Sequence, residues 1–402
     1  MKKISSIILI LFLSSCSQEK PVDSFNKIAA NSLIIDTHID APHKLNLLIQ
    51  EGLQIHDLAY TTSTEFDYPK AEKGGLNVAF MSIYLPAKTQ ITRTSFEEAN
   101  KLIDVIEDII TLNPSKFLFI KDTKSLDGLI KRQKVGLALG MENGAPLEGK
   151  LERVKFFYER GIRYITLTHS RANHISDSSY DSERVWGGLS DFGKQLIPEM
   201  NRVGIMIDIS HVSDEAFYQS IELSNVPLIA SHSSLRHFTP GFERNVSDDM
   251  LIKLAEKGGV IQINFGSTFL TKRARAYSDA SQNYMKNLFG DDISIVEPQE
   301  LIKAKDKFQM TNGLLPFASI DDVVDHIDRV VNLVGIDHVG LGSDFDGVGD
   351  SLPTNLKDVS MYPNLIRRML ERGHSEADIK KVLGGNLRRV WSATEQYANK
   401  FK

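Results

Sequence analysis

Leu33-Ile34-Ile35-Asp36-Thr37-His38-Ile39-Asp40 is a short β-branched run that ends in two metal-type side chains. A run of this length and composition reads as a buried strand with its polar residues at the C-terminal end. His38 and Asp40 stand two positions apart and project from one face of an extended chain, so imidazole and carboxylate can reach a single divalent ion. Alone, such a pair is more often a hydrogen-bonded loop histidine beside a solvated acid. It gains weight because the same arrangement, an apolar strand closed by His, Asp or Glu, recurs along the chain.

Working outward, runs of strand length occupy 33–40, 76–85, 135–142, 164–168, 204–210, 227–231, 259–264 and 338–344. Between most of them lie segments of helical character at 96–111, 152–160, 191–202, 214–223, 248–257 and 321–333. Ser247 before Asp248 and Asp249 is an expected N-cap with first-turn acids, and Ser375 opens a C-terminal helix in the same way. Continuous apolar strands alternating with amphipathic helices predict a parallel sheet covered by helices, and eight such units predict that it closes. The expected fold is therefore α/β, a TIM-like (β/α)8 barrel. The stretch 271–315 fits least well, being polar with Asp291 and Asp292 in a loop-like segment. It is expected as an excursion of helices and loops, with a lid and an oligomer contact both open as its role.

The N-terminus is read separately. Lys2 and Lys3 precede an apolar run, Ile7 to Leu13, too short to span a bilayer, which marks an export signal. It ends in Leu13-Ser14-Ser15-Cys16, which resembles the lipobox of bacterial lipoproteins, with residues 1–16 as signal peptide and Cys16 as the lipidated residue. Residues 17–30, polar from Ser17 to about Asp23, are expected as a tether, and 31–402 as a single catalytic domain. Cys16 is the one cysteine of the chain, so there is no internal disulfide and no thiol nucleophile. The net charge of -5, with acids and bases interspersed, gives no nucleic-acid footprint and favours a small-molecule partner.

The chemistry follows from what ends each strand, because barrels of this kind build their site on the C-terminal face. The terminating residues are His38 and Asp40, Glu142, His169, Asp208 to His211, Ser231-His232 and Ser343-Asp344-Phe345-Asp346. Any one histidine here could be a core or capping residue, but a full rim of them calls for a function. Two divalent ions are the simplest occupants. Histidine and carboxylate without thiolate suit zinc, less commonly manganese, iron or cobalt.

These residues resemble the membrane (renal) dipeptidase family, peptidase family M19, over essentially the whole mature chain. The resemblance is carried by Asp36-Thr37-His38-Ile39-Asp40, the segments 74–80 and 161–169, Ile207-Asp208-Ile209-Ser210-His211-Val212-Ser213, Ser231-His232-Ser233-Ser234, Arg244-Asn245-Val246 and Gly342-Ser343-Asp344-Phe345-Asp346-Gly347. It implies a metal-dependent hydrolase barrel in which His38 and Asp40 bind one zinc, His211 and His232 a second, and Glu142 bridges both. Two ions roughly 3.5–4 Å apart can share a hydroxide and polarise an amide carbonyl. The resemblance gives His169 a contact to substrate and to the tetrahedral oxyanion, and Asp344 the proton transfer from water to departing amine. Asp346 is left as the orienting residue of that loop. Arg244 is implied to bind the free C-terminal carboxylate of a dipeptide, which guanidinium matches with paired donors. Arg236 and Arg171 are read as ordinary loop arginines.

Two features depart from the family. Mammalian members carry a tyrosine after the Asn-Phe pair of strand seven, where this chain has Gly266 after Asn264-Phe265, and the segment 267–315 is longer than theirs. Both fall where side-chain specificity is set. The reading is therefore a zinc dipeptidase, with acceptance of a C-terminal D-residue open. The alternatives are a binuclear hydrolase of another amide, a cyclic amide or a phosphoester, and a peptide-binding lipoprotein. An exported bacterial envelope protein held to a membrane by lipid at Cys16 is expected. Homodimers are common in the family, which leaves that state open here.

Overall fold

The structure is a computed structural model that describes residues 21–50, 58–131, 133–290 and 296–401. The export segment with Cys16, and Asp291 and Asp292, lie outside the described residues. Among the described residues nine strands form one parallel sheet: β1 (Ile35–Ile39), β2 (Val78–Tyr84), β3 (Phe117–Phe119), β4 (Val135–Glu142), β5 (Ile162–Thr166), β6 (Met206–Asp208), β7 (Ile229–Ser233), β8 (Val260–Ile263) and β9 (Val339–Leu341). Their order is β1-β2-β4-β5-β6-β7-β8-β9, with β3 paired to the start of β4.

The ends of that path meet. The Asp40 N–H donates to the Phe345 carbonyl at 2.8 Å and the Asp344 N–H to the His38 carbonyl at 3.0 Å. A parallel bridge joins Ile39 to Phe345. The seam thus closes an almost complete (β/α)8 barrel, and it does so between the end of β1 and the residues that follow β9. All eight expected strands are present. The short β3, three residues long, was not expected, because so brief a run carries no periodic signal.

The helices Ser95–Leu112, Glu152–Arg160, Asp191–Val203, Asp214–Leu223, Asp248–Glu256 and Ile320–Val334 match the expected segments to within about two residues. Ser247 accepts from the Met250 N–H and Ser375 from the Asp378 N–H, each satisfying a helix donor that would otherwise lack a partner.

Two buried clusters divide the apolar side chains. The larger lies where strands face helices. The smaller gathers Ile35, Val78, Phe80, Ala138, Tyr164, Met206, Ile229 and Val260 from successive strands, together with Leu387, Val390 and Trp391 of helix Asn386–Ala398. It fills the barrel, as side-chain layers do in this fold. Within it the rings form a column: Trp391 to Phe80 at 5.3 Å, Phe80 to Tyr164 at 5.5 Å, and Tyr164 to His38 at 6.4 Å between centroids. The column connects the packed floor of the barrel to a side chain of the rim.

Two segments differ from or refine the expectation. Residues 21–30, expected within a tether, form the helix Pro21–Asn31, and Ile28 and Ala29 are buried against the barrel's helical layer. Its apolar positions are few, so the polar composition concealed an amphipathic docking face. The excursion 271–315 resolves into helices Lys272–Phe289 and Pro298–Asn312. Among the described residues no helix is long and apolar enough to cross a membrane.

Candidate metal centre

The C-terminal ends of the strands bring His38, Asp40, Glu142, His169, His211, His232 and Asp344 together. Glu142, at the end of β4, is the hub. Its Oε2 lies 3.4 Å from His38 Nε2, while its Oε1 lies 3.2 Å from both His211 Nε2 and His232 Nε2 and 3.5 Å from His169 Nε2. Asp40 Oδ2 is 3.5 Å from His38 Nε2. Among the described residues three overlapping sets have the spacing to hold an ion: His38, Glu142 and His232; Glu142, His169 and His211; His38, Asp40 and Asp344. The His211 and His232 Nε2 atoms converge to 2.9 Å, and the His232 ring stacks on His38 at 3.7 Å.

Neighbouring hydrogen bonds fix which nitrogen faces the centre. Tyr164 donates its hydroxyl to the Thr37 carbonyl at 2.9 Å, so at 2.8 Å it accepts from His38 Nδ1, which leaves Nε2 as the nitrogen that faces the centre. Ser231 donates to Asp208 Oδ2 at 2.6 Å, so it accepts from His232 Nδ1 at 2.8 Å, and His232 Nε2 is an open lone pair. Such partners orient metal-binding imidazoles. Ser82 donates to Glu142 Oε2 at 3.1 Å. Buried His38 Nε2 and Asp40 Oδ1 have no hydrogen-bond partner among the described residues, although burial without one is costly. The donor set, all nitrogen and oxygen, and these orphaned atoms fit a divalent cation.

Protonation states agree with that fit at His211, His232 and Glu142; at His38, burial lowers the pKa but Tyr164, Glu142 and Asp40 outweigh it and hold the ring well above the usual imidazole range, so a cation binding there displaces the Nε2 proton. Burial, with the Arg244 charge nearby, holds His211 well below the usual imidazole range; burial and His38 do the same for His232, so both rings are neutral. Burial works against ionisation of Glu142, but His38 and His169 outweigh it and its carboxyl lies well below the carboxylate range. Burial also lowers His169. Burial and the proximity of Asp40 hold Asp344 well above its ordinary value, and its Oδ2 accepts from Asn264 at 2.7 Å. His211 (φ 71°) and Asp344 (φ 63°) occupy the left-handed region, a conformation uncommon outside glycine that concentrates at functional sites.

Arg244 is 3% exposed and lies behind this rim. It donates to Ser233 Oγ at 2.7 Å and to the His232 carbonyl at 2.8 Å, and its Nε has no partner among the described residues. A cavity of about 940 Å³ opens over the centre, lined by Asp40, Glu142, His169, His211 and Asp344 and, further out, by Tyr84, Tyr180, Arg171 and the excursion residues Ser278 and Lys286. Asp346 accepts the Glu65 N–H at 2.8 Å, the orienting part expected of it, and Arg236 pairs with Asp214 away from the centre. Arg171, set aside as an ordinary loop arginine, reaches the cavity wall. Sequence reasoning missed Tyr164, which resembles any core aromatic of a strand, and Tyr84, His43 and Tyr180, which the fold alone brings to the cavity.

A (β/α)8 barrel with histidine and carboxylate donors gathered on its C-terminal rim defines a metal-dependent hydrolase. A family profile described as Membrane dipeptidase (Peptidase family M19) matches residues 22–402, and the chain belongs to that family. Its enzyme class is accordingly that of a metallo-dipeptidase. The chain is 31% identical to an uncharacterized dipeptidase of Schizosaccharomyces pombe, over 93% of this chain and 83% of that one. It is also 31% identical to Dipeptidase 3 of Mus musculus, covering 91% of this chain and 65% of the mouse protein. The crystal structure of the probable dipeptidase PvdM from Pseudomonas aeruginosa superposes with a TM-score of 0.81 at 25% identity, over 94% of this chain and 99% of that one.

Proposed function

We propose that this chain is a zinc-dependent dipeptidase in which His38 and Asp40 hold one ion, His211 and His232 a second, and Glu142 spans the two. The observation that carries this reading is the division of the Glu142 carboxylate, one oxygen towards His38 and the other towards His211 and His232. Bound zinc supplies an activated water at neutral pH and polarises the scissile carbonyl. Asp344 takes the proton of the attacking water and returns it to the departing amine, a part suited to a buried carboxyl with raised proton affinity. His169 donates to the oxygen on which charge develops. Arg244 pairs with the substrate's C-terminal carboxylate, and the fixed distance from that anchor to the centre selects dipeptides over longer peptides.

The test takes the form beginning after Cys16, strips it with a chelator, and follows amino-acid release from L,L and L,D dipeptides with and without zinc, beside Asp344→Asn. Zinc-restored cleavage that the variant lacks is expected, and the L,D arm decides whether a C-terminal D-residue is accepted. Rebinding of two ions with no dipeptide cut would overturn the substrate reading and move the search to other amides. Failure to rebind would overturn the ligand assignment.

We also propose export and lipid attachment at Cys16, supported by the basic residues, apolar run and Leu13-Ser14-Ser15-Cys16 ending of the N-terminus. The full chain is expected in the membrane fraction and its Cys16→Ala variant outside it; equal partitioning of the two would refute the anchor.

A further inference from the structure

Tyr180 belongs to the loop that follows β5, and that loop is tied to the centre at several points. The Tyr180 N–H donates to Ser178 Oγ at 3.1 Å, and Ser178 Oγ donates to the carbonyl of His169 at 2.5 Å. The next N–H back, that of Ser179, donates to the carbonyl of His211 at 2.8 Å. The outer part of the loop wraps around the buried Asp177 carboxylate, which accepts N–H bonds from Val185 at 2.8 Å and Gly188 at 2.9 Å. The backbone that carries Tyr180 is therefore fixed to the two histidines on either side of it.

The side chain is placed between the centre and the segment of Arg244. Its ring faces His211 at 5.8 Å and Phe242, two residues before Arg244, at 6.1 Å. It lines the cavity, is 44% exposed, and its hydroxyl makes no hydrogen bond among the described residues. Burial raises the proton affinity of that hydroxyl, and the charges of Arg244 and Arg275 work in the opposite direction. A rigidly mounted phenol with an uncommitted hydroxyl, lying between the hydrolytic centre and the cation behind it, is a donor waiting for an acceptor.

We infer that Tyr180 is a substrate-contacting residue whose hydroxyl donates to the C-terminal carboxylate of the dipeptide, beside Arg244. This rests on the dipeptidase reading above. Tyr180 lines the cavity over the centre and packs against Phe242, two residues before Arg244, so a dipeptide with its carbonyl at the centre and its carboxylate towards Arg244 would lie beside this ring. A hydrogen bond to a charged group is strong enough to set affinity.

The test compares wild type and Tyr180→Phe, both zinc-loaded, on a dipeptide and on its C-terminal amide, with enzyme concentration raised for the amide. The ring is retained, so melting temperature and zinc content serve as controls and are expected unchanged. For the dipeptide, kcat/KM is expected to fall by about tenfold, chiefly through KM. For the amide it is expected to change less than about twofold. An unchanged dipeptide value, or an equal fall for both substrates, overturns the inference. Wild type that cuts neither substrate overturns the dipeptidase reading instead.

Discussion

The Tyr164 hydroxyl lies 2.8 Å from His38 Nδ1 and is itself committed as donor to the Thr37 carbonyl at 2.9 Å. A residue of the packed barrel core therefore sets the tautomer of a rim histidine. Gly140 makes the arrangement possible, since a Cβ there would run into the Tyr164 ring. Removing the hydroxyl in Tyr164→Phe leaves the ring column intact but frees His38 to rotate and to change tautomer. Metal affinity is expected to fall by roughly one to two orders of magnitude with little change in fold, as for other partners of metal-binding histidines. Gly140→Ala, which displaces the ring itself, is expected to lower both affinity and melting temperature. Calorimetric zinc titration of the stripped proteins checks both; unchanged affinity in Tyr164→Phe would sink the argument.

Asp344 is held by the Asn264 amide at 2.7 Å and by its own left-handed backbone at φ 63°. Asp344→Asn keeps an acceptor for that amide and nearly the same volume, but cannot carry a proton. Turnover is expected to slow by roughly two to four orders of magnitude, the range of a general acid–base group, with zinc content unchanged. Loss of zinc together with activity would make Asp344 a ligand, as the spacing of His38, Asp40 and Asp344 allows. Metal analysis on the purified variant separates the two roles.

The barrel was legible because parallel strands buried on both faces read as continuous apolar runs, and its helices open with recognisable caps such as Ser247 and Ser375. The rim was legible for a related reason: His38, Glu142 and Asp344 interrupt those runs with residues a core would not choose. What stayed hidden depends on tertiary placement. Tyr164 reads as one more core aromatic until its hydroxyl is seen beside His38. Tyr180 reaches the cavity only because Asp177 folds its loop, a side-chain to backbone contact that has no sequence period. Helix Pro21–Asn31 passed for a tether because a single buried face needs few apolar residues.

Arg244 spends two of its donors on Ser233 Oγ and the His232 carbonyl, which aim the guanidinium and leave Nε open. Arg244→Lys keeps the charge but replaces a planar fork with a compact ammonium that cannot hold these two bonds and present a paired face to a carboxylate. KM for a dipeptide is expected to rise by roughly tenfold or more while kcat falls less, because the anchor acts before and during the chemical step alike. Initial-rate kinetics over a wide substrate range provides the check. An unaltered KM would remove Arg244 from substrate binding and leave it as a brace for β7.

His326 tests how the fold responds to acid away from the metal centre. Its Nδ1 accepts the Leu235 N–H at 3.0 Å and its Nε2 donates to the Leu270 carbonyl at 3.0 Å, so helix Ile320–Val334 is fastened to the segments after β7 and β8 by a neutral imidazole. Burial is the main cause that lowers its pKa to about 4. Because the folded value lies below the unfolded one, the unfolded chain takes up the proton first. The stabilisation is complete above about pH 6.5 and is lost as pH falls towards 4, amounting to about 3 kcal/mol across that window. Protonation would put a hydrogen on Nδ1, directly against the Leu235 N–H. Urea unfolding of the metal-stripped protein at pH 7 and pH 4 should therefore show a drop that is smaller by about this amount in His326→Gln, which starts less stable but has nothing to titrate at this position. Equal pH dependence of the two proteins would mean that His326 does not enter the acid sensitivity of the barrel.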